Sequence, residues 1–449
     1  MADGRWRMAE TTTSFAICHL PSAIAYDCSR TRSMENVIAV GLILPDLPKT
    51  VAEEHLEELG KLIGTAGGTL VARVIAKRNA PDPATYVGKG KAEELQRLVQ
   101  KHRGSLVVFD DDLSPAQVRN LEKLIGGKTK VIDRSALILD IFASRAKTRE
   151  ARTQVELAQL EYMLPRLTRA WTHLERQAGG IGTRGVGETQ LELDRRIVRT
   201  RIARLKDELQ RIEKTRATQR KSRGGAFTVA LVGYTNAGKS TLFNRLTRGD
   251  TLAMDQLFAT LDAKSQRIAR EMPRETVIID TVGFIRKLPH HLVASFRSTM
   301  EEAVAADLVL HVIDASHPQH AEQREIGEQV LADLGVDSAR VVDVYNKSDR
   351  VDEHFDVRRR NSVVVSALTG EHIDRLVDVI RDREREGGEL LHLEIPHADA
   401  RLIAQLHERA EVYEQATNDE TVSISAWVPN NLMNLFRAFV TAARKRRAS

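Results

Sequence analysis

The chain has 449 residues, of which 42% are hydrophobic and 29% are charged, and its formal net charge is +5. Length and composition predict a globular protein of about three or four domains, which we expect in the cytoplasm. Cys18 and Cys28 are the two cysteines, and their position near the amino terminus excludes a disulfide framework. No apolar run approaches the roughly 20 residues that a membrane-spanning helix needs.

Residues 1–35 are interpreted as a disordered leader. A short apolar patch follows two arginines there, as in a signal peptide, but His19 and Pro21 interrupt the patch. Met34 is the predicted start of the folded protein.

Residues 36–143 predict an α/β domain, because strand-like and helix-like runs alternate along them. The predicted strands are residues 37–44, 70–75 and 106–109, and the predicted helices are residues 51–63 and 91–101. Gly88-Lys89-Gly90-Lys91 has the composition of a second phosphate site without the full spacing, so we interpret it as a turn into a helix. Use of ATP by this domain stays an open question.

Residues 144–223 predict an antiparallel helical hairpin. Apolar residues recur at steps of three and four on both sides of a glycine-rich stretch, which is the pattern of two helices that pack along a seam. The seam residues are Leu157, Leu160, Leu164, Leu167, Trp171 and Leu174, then Val198, Ile202, Leu205, Leu209 and Ile212. We expect the glycine-rich loop, residues 177–190, at the tip of the hairpin.

The second helix of this hairpin is strongly basic. Residues 195–223 contain twelve Lys or Arg and three Asp or Glu, a local balance of +9 in a chain whose total is +5. Such a run is often only a solvated helix face, but its place beside a glycine-rich loop favours contact with RNA phosphates. The candidate RNA-binding residues are Gly179, Gly180, Arg184, Gly185, Arg195, Arg196 and Arg199.

Residues 224–388 predict a GTPase domain with a doubly wound parallel sheet. Residues 233–240 form a complete phosphate-binding loop between a strand-like run and a helix-like run. The loop amides surround a polyphosphate, Lys239 supplies positive charge, and the Ser240 hydroxyl binds Mg²⁺, the expected cofactor. The expected GTP-binding residues here are Gly233, Tyr234, Thr235, Asn236, Ala237, Gly238, Lys239, Ser240 and Thr241.

Three later strand-like runs, residues 277–279, 341–345 and 363–365, each end in polar residues. In a doubly wound sheet the carboxyl ends of the strands share one edge, so these residues should meet the phosphate loop. The expected GTP-binding residues at this edge are Asp280, Thr281, Val282, Gly283, Asn346, Lys347, Ser348, Asp349, Ser366, Ala367 and Leu368.

The chemistry of these residues predicts GTP rather than ATP. Asp349 can accept two hydrogen bonds from a guanine edge, which adenine cannot give. The Lys347 stem can cover the base, and the turn after Ser366 can offer amides to the guanine oxygen. Asp280 is expected to hold Mg²⁺ through water, and the Gly283 amide to reach the γ-phosphate.

A second protein ligand of Mg²⁺ is expected on a segment that moves with the nucleotide state. Residues 257–262 supply Thr260, which we favour over Thr251 and Thr247. The expected GTP-binding residues of this segment are Phe258, Ala259, Thr260, Leu261 and Asp262.

The catalytic residue is not identified by the sequence. Ras-like proteins orient the attacking water with a glutamine after the Asp-x-x-Gly glycine, and Phe284 stands there in this chain. Because a phenyl ring cannot hydrogen-bond water, we expect slow hydrolysis unless a partner or a monovalent cation completes the site. Asn236 matches the asparagine of potassium-stimulated GTPases, which makes K⁺ a candidate cofactor, although asparagine is also common in turns.

Residues 389–449 predict a small α+β unit after Gly387-Gly388. Its predicted elements are a helix over residues 401–413 and a strand over residues 422–427, and its end is basic, with Arg444, Lys445, Arg446 and Arg447.

Residues 179–196 read Gly-Gly-Ile-Gly-Thr-Arg-Gly-Val-Gly-Glu-Thr-Gln-Leu-Glu-Leu-Asp-Arg-Arg. Here the chain resembles the HflX family of translational GTPases, whose signature reads GGxGxRGPGE, then Thr or Ser, then xLExDRR. The resemblance includes residues 86–95, 133–142 and 154–160, and covers about residues 36–445. Val186 departs from it, since the family usually has proline there.

The resemblance implies a factor that binds the large ribosomal subunit and its rRNA and splits stalled or idle ribosomes under the control of GTP. It also implies that the tip loop reaches the peptidyl transferase centre. We expect a monomer without a membrane span. The alternatives are a subunit-assembly or RNA-modification GTPase, and a passive RNA-binding, anti-association protein in which GTP is structural.

Overall fold

The computed structural model describes the chain in segments. The predicted leader lies outside the described residues, apart from residue 35. The described residues are 35–45, 47–126, 129–167, 186–222, 226–247, 249, 257–258, 263–272, 275–287, 297–351, 355, 361–418 and 420–441. Among them, no helix combines the length and the apolar character that crossing a membrane requires.

The first unit is a parallel four-stranded sheet in the order β2-β1-β3-β4. Its strands are β1 (Asn36–Ile43), β2 (Thr69–Lys77), β3 (Leu106–Phe109) and β4 (Lys130–Asp133), and its helices are α1 (Lys49–Thr65), α2 (Lys89–His102), α3 (Pro115–Ile125) and α4 (Arg134–Arg145). Alternate residues of β1 pack against α1 and α4 on one face and against α2 and α3 on the other. This arrangement confirms the predicted α/β class.

Two helices follow, α5 (Arg149–Met163) and α6 (Val186–Ser222), and they pack against each other. Leu157, Val198 and Leu205 of the predicted seam are buried. The prediction that residues 177–190 form a loop is wrong for its last five residues, because α6 already begins at Val186. Trp171 and Leu174 lie outside the described residues.

The nucleotide-motif region forms a six-stranded sheet in the order β10-β9-β8-β5-β7-β6. All pairs are parallel except β6 with β7. The strands are β5 (Phe227–Gly233), β6 (Lys264–Arg267), β7 (Thr276–Asp280), β8 (Leu308–Asp314), β9 (Val341–Asn346) and β10 (Ser362–Val364), and the helices are α7 (Lys239–Thr247), α8 (Arg297–Ala305), α9 (His320–Asp333) and α10 (Ile373–Glu386). The motif residues therefore follow the carboxyl ends of β5, β7, β9 and β10.

The last unit is an antiparallel three-stranded sheet in the order β11-β13-β12, with the helix α11 packed against it. Its elements are β11 (Gly388–Pro396), α11 (Ala400–Arg409), β12 (Glu411–Thr417), β13 (Thr421–Pro429) and a short helix, α12 (Met433–Phe436). The predicted helix over residues 401–413 is wrong at its end, because Glu411–Thr417 pairs with β13. Cross-strand hydrogen bonds of the β12–β13 hairpin outweigh the local helical pattern there.

Candidate nucleotide-binding site

The phosphate loop joins β5 to α7, and two of its glycines are required by close packing. Gly233 has a φ of 144°, and a Cβ there would lie 2.1 Å from the carbonyl oxygen of Val312. Gly238 has a φ of 91°, and a Cβ there would lie 2.1 Å from the Asn346 Nδ2 atom. A larger residue at either position would be both strained and sterically blocked.

Lys239 is held inside the loop. Its Nζ atom donates to the backbone oxygens of Gly233 at 3.0 Å and Tyr234 at 2.8 Å, and the residue is only 7% exposed. Burial lowers the pKa of Lys239 to about 8, and the nearby Asp280 carboxylate opposes that shift. The amine is thus fixed in the position from which it can neutralise phosphate charge.

Two oxygen ligands of the kind that Mg²⁺ prefers lie together beside the loop. The Ser240 hydroxyl donates to Asp280 Oδ2 at 2.9 Å. A hydroxyl and a carboxylate suit a hard divalent cation, so this pair fits a magnesium site. The expected further ligand, Thr260, lies outside the described residues together with Ala259, Leu261 and Asp262, and Phe258 is buried.

The predicted base-binding residues form one hydrogen-bonded group. Asn346 donates through Nδ2 to the oxygen of Ala237 at 2.8 Å, and its Oδ1 accepts from the Ala367 amide at 2.9 Å. The Ser366 hydroxyl donates to Asp349 Oδ1 at 2.5 Å. Asn346 therefore connects the phosphate loop to the turn 366–368, and Asp349 is fixed beside the same turn.

Asp314 and Arg245 support the base-binding group and were not identified from the sequence. Lys347 Nζ donates to Asp314 Oδ2 at 2.6 Å, at the end of β8. Arg245 of α7 donates to the backbone oxygens of Ala367, at 3.1 Å, and Leu368. The available signal for Asp314 was its place at the end of a strand-like run.

The segment 280–287 touches the phosphate loop directly. The Phe284 amide donates to the Gly233 oxygen at 2.9 Å, and the Thr235 amide donates to the Phe284 oxygen at 2.7 Å. The Phe284 side chain is 2% exposed and belongs to an apolar cluster that also contains Leu137 and Phe142 of α4. The ring at the expected catalytic position therefore belongs to an apolar cluster that includes residues of the first sheet unit and of the nucleotide-motif region.

Acidic residues of the first unit contact this same segment. The Tyr234 hydroxyl accepts from the Arg286 amide and donates to Glu58 Oε2, both at 2.8 Å. Burial, then the Glu58 charge, raises the pKa of the Tyr234 hydroxyl. Lys287 Nζ donates to Asp110 Oδ2 at 3.0 Å and also contacts Asp111.

Arg134 joins these carboxylates inside the first unit. It donates to Asp110 Oδ1 at 2.6 Å and to Glu58 Oε1, and its side chain is almost fully buried. Burial lowers the pKa of Arg134, but the charges of Asp110 and Glu58 outweigh that effect and raise it. Sequence reasoning missed this network, since its members are far apart along the chain.

The candidate RNA-binding residues are only partly described. Arg196 and Arg199 are exposed on α6, and Arg195 is half-buried. Gly179, Gly180, Arg184 and Gly185 lie outside the described residues. Other basic residues of α6 are paired with α5, because Arg201 contacts Glu156 at 2.7 Å and Lys206 contacts Glu161 at 2.8 Å. Part of the predicted basic face is thus neutralised within the protein.

Three family models match the chain in succession. They are described as GTP-binding GTPase N-terminal, over residues 53–143, GTP-binding GTPase Middle Region, over residues 145–223, and 50S ribosome-binding GTPase, over residues 228–347.

Curated relatives cover most of the chain. GTPase HflX of Magnetococcus marinus is 43% identical over 399 residues, which are 87% of this chain and 91% of that protein. GTPase HflX of Caldanaerobacter subterraneus is 42% identical over 418 residues, 92% and 96% of the two chains. GTPase HflX of Escherichia coli is 46% identical over 388 residues, 84% and 90% of the two chains. With this identity over nearly the whole length, the chain belongs to the HflX family and is a GTP-hydrolysing enzyme.

Proposed function

We propose that this GTPase binds the large ribosomal subunit and splits stalled or idle ribosomes. The observation that carries the proposal is the match of residues 228–347 to a family model described as 50S ribosome-binding GTPase. The exposed arginines of α6 support it, because Arg196 and Arg199 have no acidic partner among the described residues and are available for RNA phosphates.

In this proposal the nucleotide site works through the residues described above. Asp349 and the turn 366–368 bind guanine, the loop amides and Lys239 bind the phosphates, and Ser240 with Asp280 holds Mg²⁺. Magnesium, when bound, neutralises charge on the β- and γ-phosphates. K⁺ remains a second candidate cation, with Asn236 as its ligand.

Sedimentation tests the ribosomal role. Intact ribosomes are incubated with the protein and either GTP or a non-hydrolysable GTP analogue, and the particles are then separated on a sucrose gradient. Conversion of ribosomes to subunits supports splitting. Binding to isolated large subunits without conversion supports a subunit-assembly or RNA-modification GTPase, or a passive anti-association protein.

Shortening the predicted tip loop between Gly179 and Gly187 should abolish splitting and leave nucleotide affinity intact. The glycines permit close backbone approach to RNA, and Arg184 can bind phosphate or stack on a base. Splitting is measured on the gradient and GDP affinity by calorimetry.

The double variant Arg196→Gln and Arg199→Gln is compared with the protein that has the shortened loop. It should weaken subunit binding in a manner that depends on salt, since these side chains are proposed to bind phosphates. Arg201→Gln is the matched control, because Arg201 is already paired with Glu156. Normal splitting by the shortened protein would contradict a role for the tip.

Hydrolysis by the isolated protein should be far below the usual enzyme range of about 1 to 1,000 per second. The reason is that Phe284 cannot orient water and is packed in an apolar cluster. Large subunits should raise turnover by orders of magnitude, measured as phosphate release. The same assay in Na⁺ and in K⁺ tests Asn236, and equal rates would argue against a cation site. A fast rate without ribosomes would contradict the proposal.

A further inference from the structure

Lys347 lies between Asn346 and Asp349 of the base-binding group, and its backbone has an uncommon conformation. Its φ is 68° and its ψ is 38°, which is the left-handed region that a residue with a side chain rarely adopts. Backbone of this kind persists only where the surrounding structure holds it, and it is concentrated at functional sites. The Arg350 amide donates to the Lys347 oxygen at 3.0 Å and so helps to hold this turn.

The ammonium group of Lys347 is bound within the protein. Its Nζ atom donates to Asp314 Oδ2 at 2.6 Å, and the two side chains are only 17% and 14% exposed. The other carboxylate oxygen, Asp314 Oδ1, accepts from the Ser316 amide at 3.0 Å and from the Ser316 hydroxyl at 2.6 Å. Because both oxygens are engaged, the carboxylate holds the ammonium group in one position. Hydrogen bonds between charged groups are among the strongest in proteins.

The pairing of β8 with β9 places Asp314 beside the base-binding group. Asp314 is opposite Asn346 in the parallel register, and the Ala315 amide donates to the Asn346 oxygen at 2.9 Å. Asn346 in turn donates to the Ala237 oxygen of the phosphate loop. The Asp314 carboxylate is itself occupied by protein groups, so its effect on a nucleotide is exerted through Lys347.

We propose that Asp314 is a positioning residue for nucleotide binding, which holds the Lys347 side chain so that its hydrocarbon stem lies along the base. A hydrocarbon surface does not distinguish one purine edge from another, whereas the Asp349 carboxylate does. Asp314 therefore sets how tightly purine nucleotides bind, and Asp349 sets which purine is preferred. The inference rests on the nucleotide site proposed above.

Asp314→Ala in the full-length protein tests this division of roles. Calorimetry measures the affinities for GDP, inosine diphosphate and xanthosine diphosphate. All three should fall by about tenfold, because the nucleotide itself must then order the Lys347 side chain. The ratios between the three affinities should stay within about twofold of the wild-type ratios. Asp314→Asn keeps an oxygen acceptor and should lose only about threefold, and it replaces the alanine variant if that protein does not fold.

Asp343→Ala is the matched control. Asp343 of β9 contacts His311 of β8 at 3.0 Å, and its side chain is 13% exposed, so its burial and its partner strand resemble those of Asp314. The two residues are opposite each other in the register, away from the carboxyl ends of the strands. Whatever this substitution does to the melting temperature, it should leave GDP affinity within about twofold of the wild-type value.

Lys347→Met completes a double-mutant cycle with Asp314→Ala. Methionine keeps most of the hydrocarbon stem and removes the ammonium group, so Asp314 loses its partner. If Asp314 acts through Lys347, adding Asp314→Ala to Lys347→Met should change GDP affinity by less than about twofold, although the same substitution costs about tenfold in the wild-type background.

Four outcomes would overturn the role of Asp314. Wild-type GDP affinity in the Asp314→Ala protein, or in the Asp314→Asn protein that replaces it, would show that the ion pair does not serve the nucleotide. A changed ratio between the three nucleotides would mean that the base edge is read through Asp314. A full additional loss in the double variant, or an equal loss in Asp343→Ala, would assign Asp314 to the packing of β8 and β9. Failure of the wild-type protein to bind GDP would be a separate result, since it would overturn the nucleotide site as well.

Discussion

Asp349→Asn should weaken GTP binding by about 2–4 kcal/mol, or about 30- to 1,000-fold, and should favour xanthosine nucleotides instead. The asparagine amide cannot accept both guanine hydrogen bonds, so polar groups of the base would remain unpaired. The Ser366 hydroxyl donates a hydrogen bond to the Asp349 carboxylate at 2.5 Å and so fixes its orientation. Calorimetric titration with GDP and with xanthosine diphosphate measures the change.

Ser366→Ala is the matched control for Asp349→Asn. It removes the intramolecular donor and leaves the carboxylate, so guanine preference should persist with a smaller loss of affinity. Unchanged GDP affinity of the Asp349→Asn protein would dismiss Asp349 as the guanine-binding residue.

Arg134→Met should lower the free energy of unfolding by about 3–5 kcal/mol. Asp110 and Glu58 would then be left in the interior without their main cation, and the Asp110 side chain is only 4% exposed. Burial already raises the pKa of Asp110, although Arg134 and Lys287 oppose that shift. The midpoint of urea denaturation provides the measurement.

Two controls separate this effect from loss of side-chain volume. Arg78→Met removes an ion pair with Asp82. The Arg78 side chain is 39% exposed, so this substitution should cost less than about 1 kcal/mol. Adding Asp110→Asn and Glu58→Gln to Arg134→Met should recover part of the lost stability, because no carboxylate remains unpaired. If Arg134→Met lowers the free energy of unfolding no more than Arg78→Met does, water already solvates Asp110 and Glu58, and the prediction is contradicted.

The sequence by itself determined which motif residues meet at one edge of the nucleotide-motif sheet. A phosphate loop is a local strand–loop–helix motif, and parallel strands bring their carboxyl ends to one edge whatever the rest of the chain does. Asn346, Lys347, Asp349 and Ser366 therefore lie together as their spacing predicted. Gly233 and Gly238 were recognisable from the loop motif, although close contacts with the distant residues Val312 and Asn346 also require them.

The local sequence pattern was insufficient to predict structure where a residue's partner lies on another strand or helix. Residues 411–413 have a helical pattern but form a strand, because β13 supplies hydrogen bonds across a hairpin. Arg201 and Lys206, which the sequence counts in the basic run of α6, pair with acidic residues of α5. Charge counts along a segment do not show which charges another helix neutralises.

Only the tertiary structure decided what surrounds the segment 280–287. Tyr234 and Glu58 are 176 positions apart, and Lys287 and Asp110 are 177 apart, yet each pair is in hydrogen-bond contact. Contacts between such distant residues depend on how separate sheets pack, and no motif spacing encodes that packing.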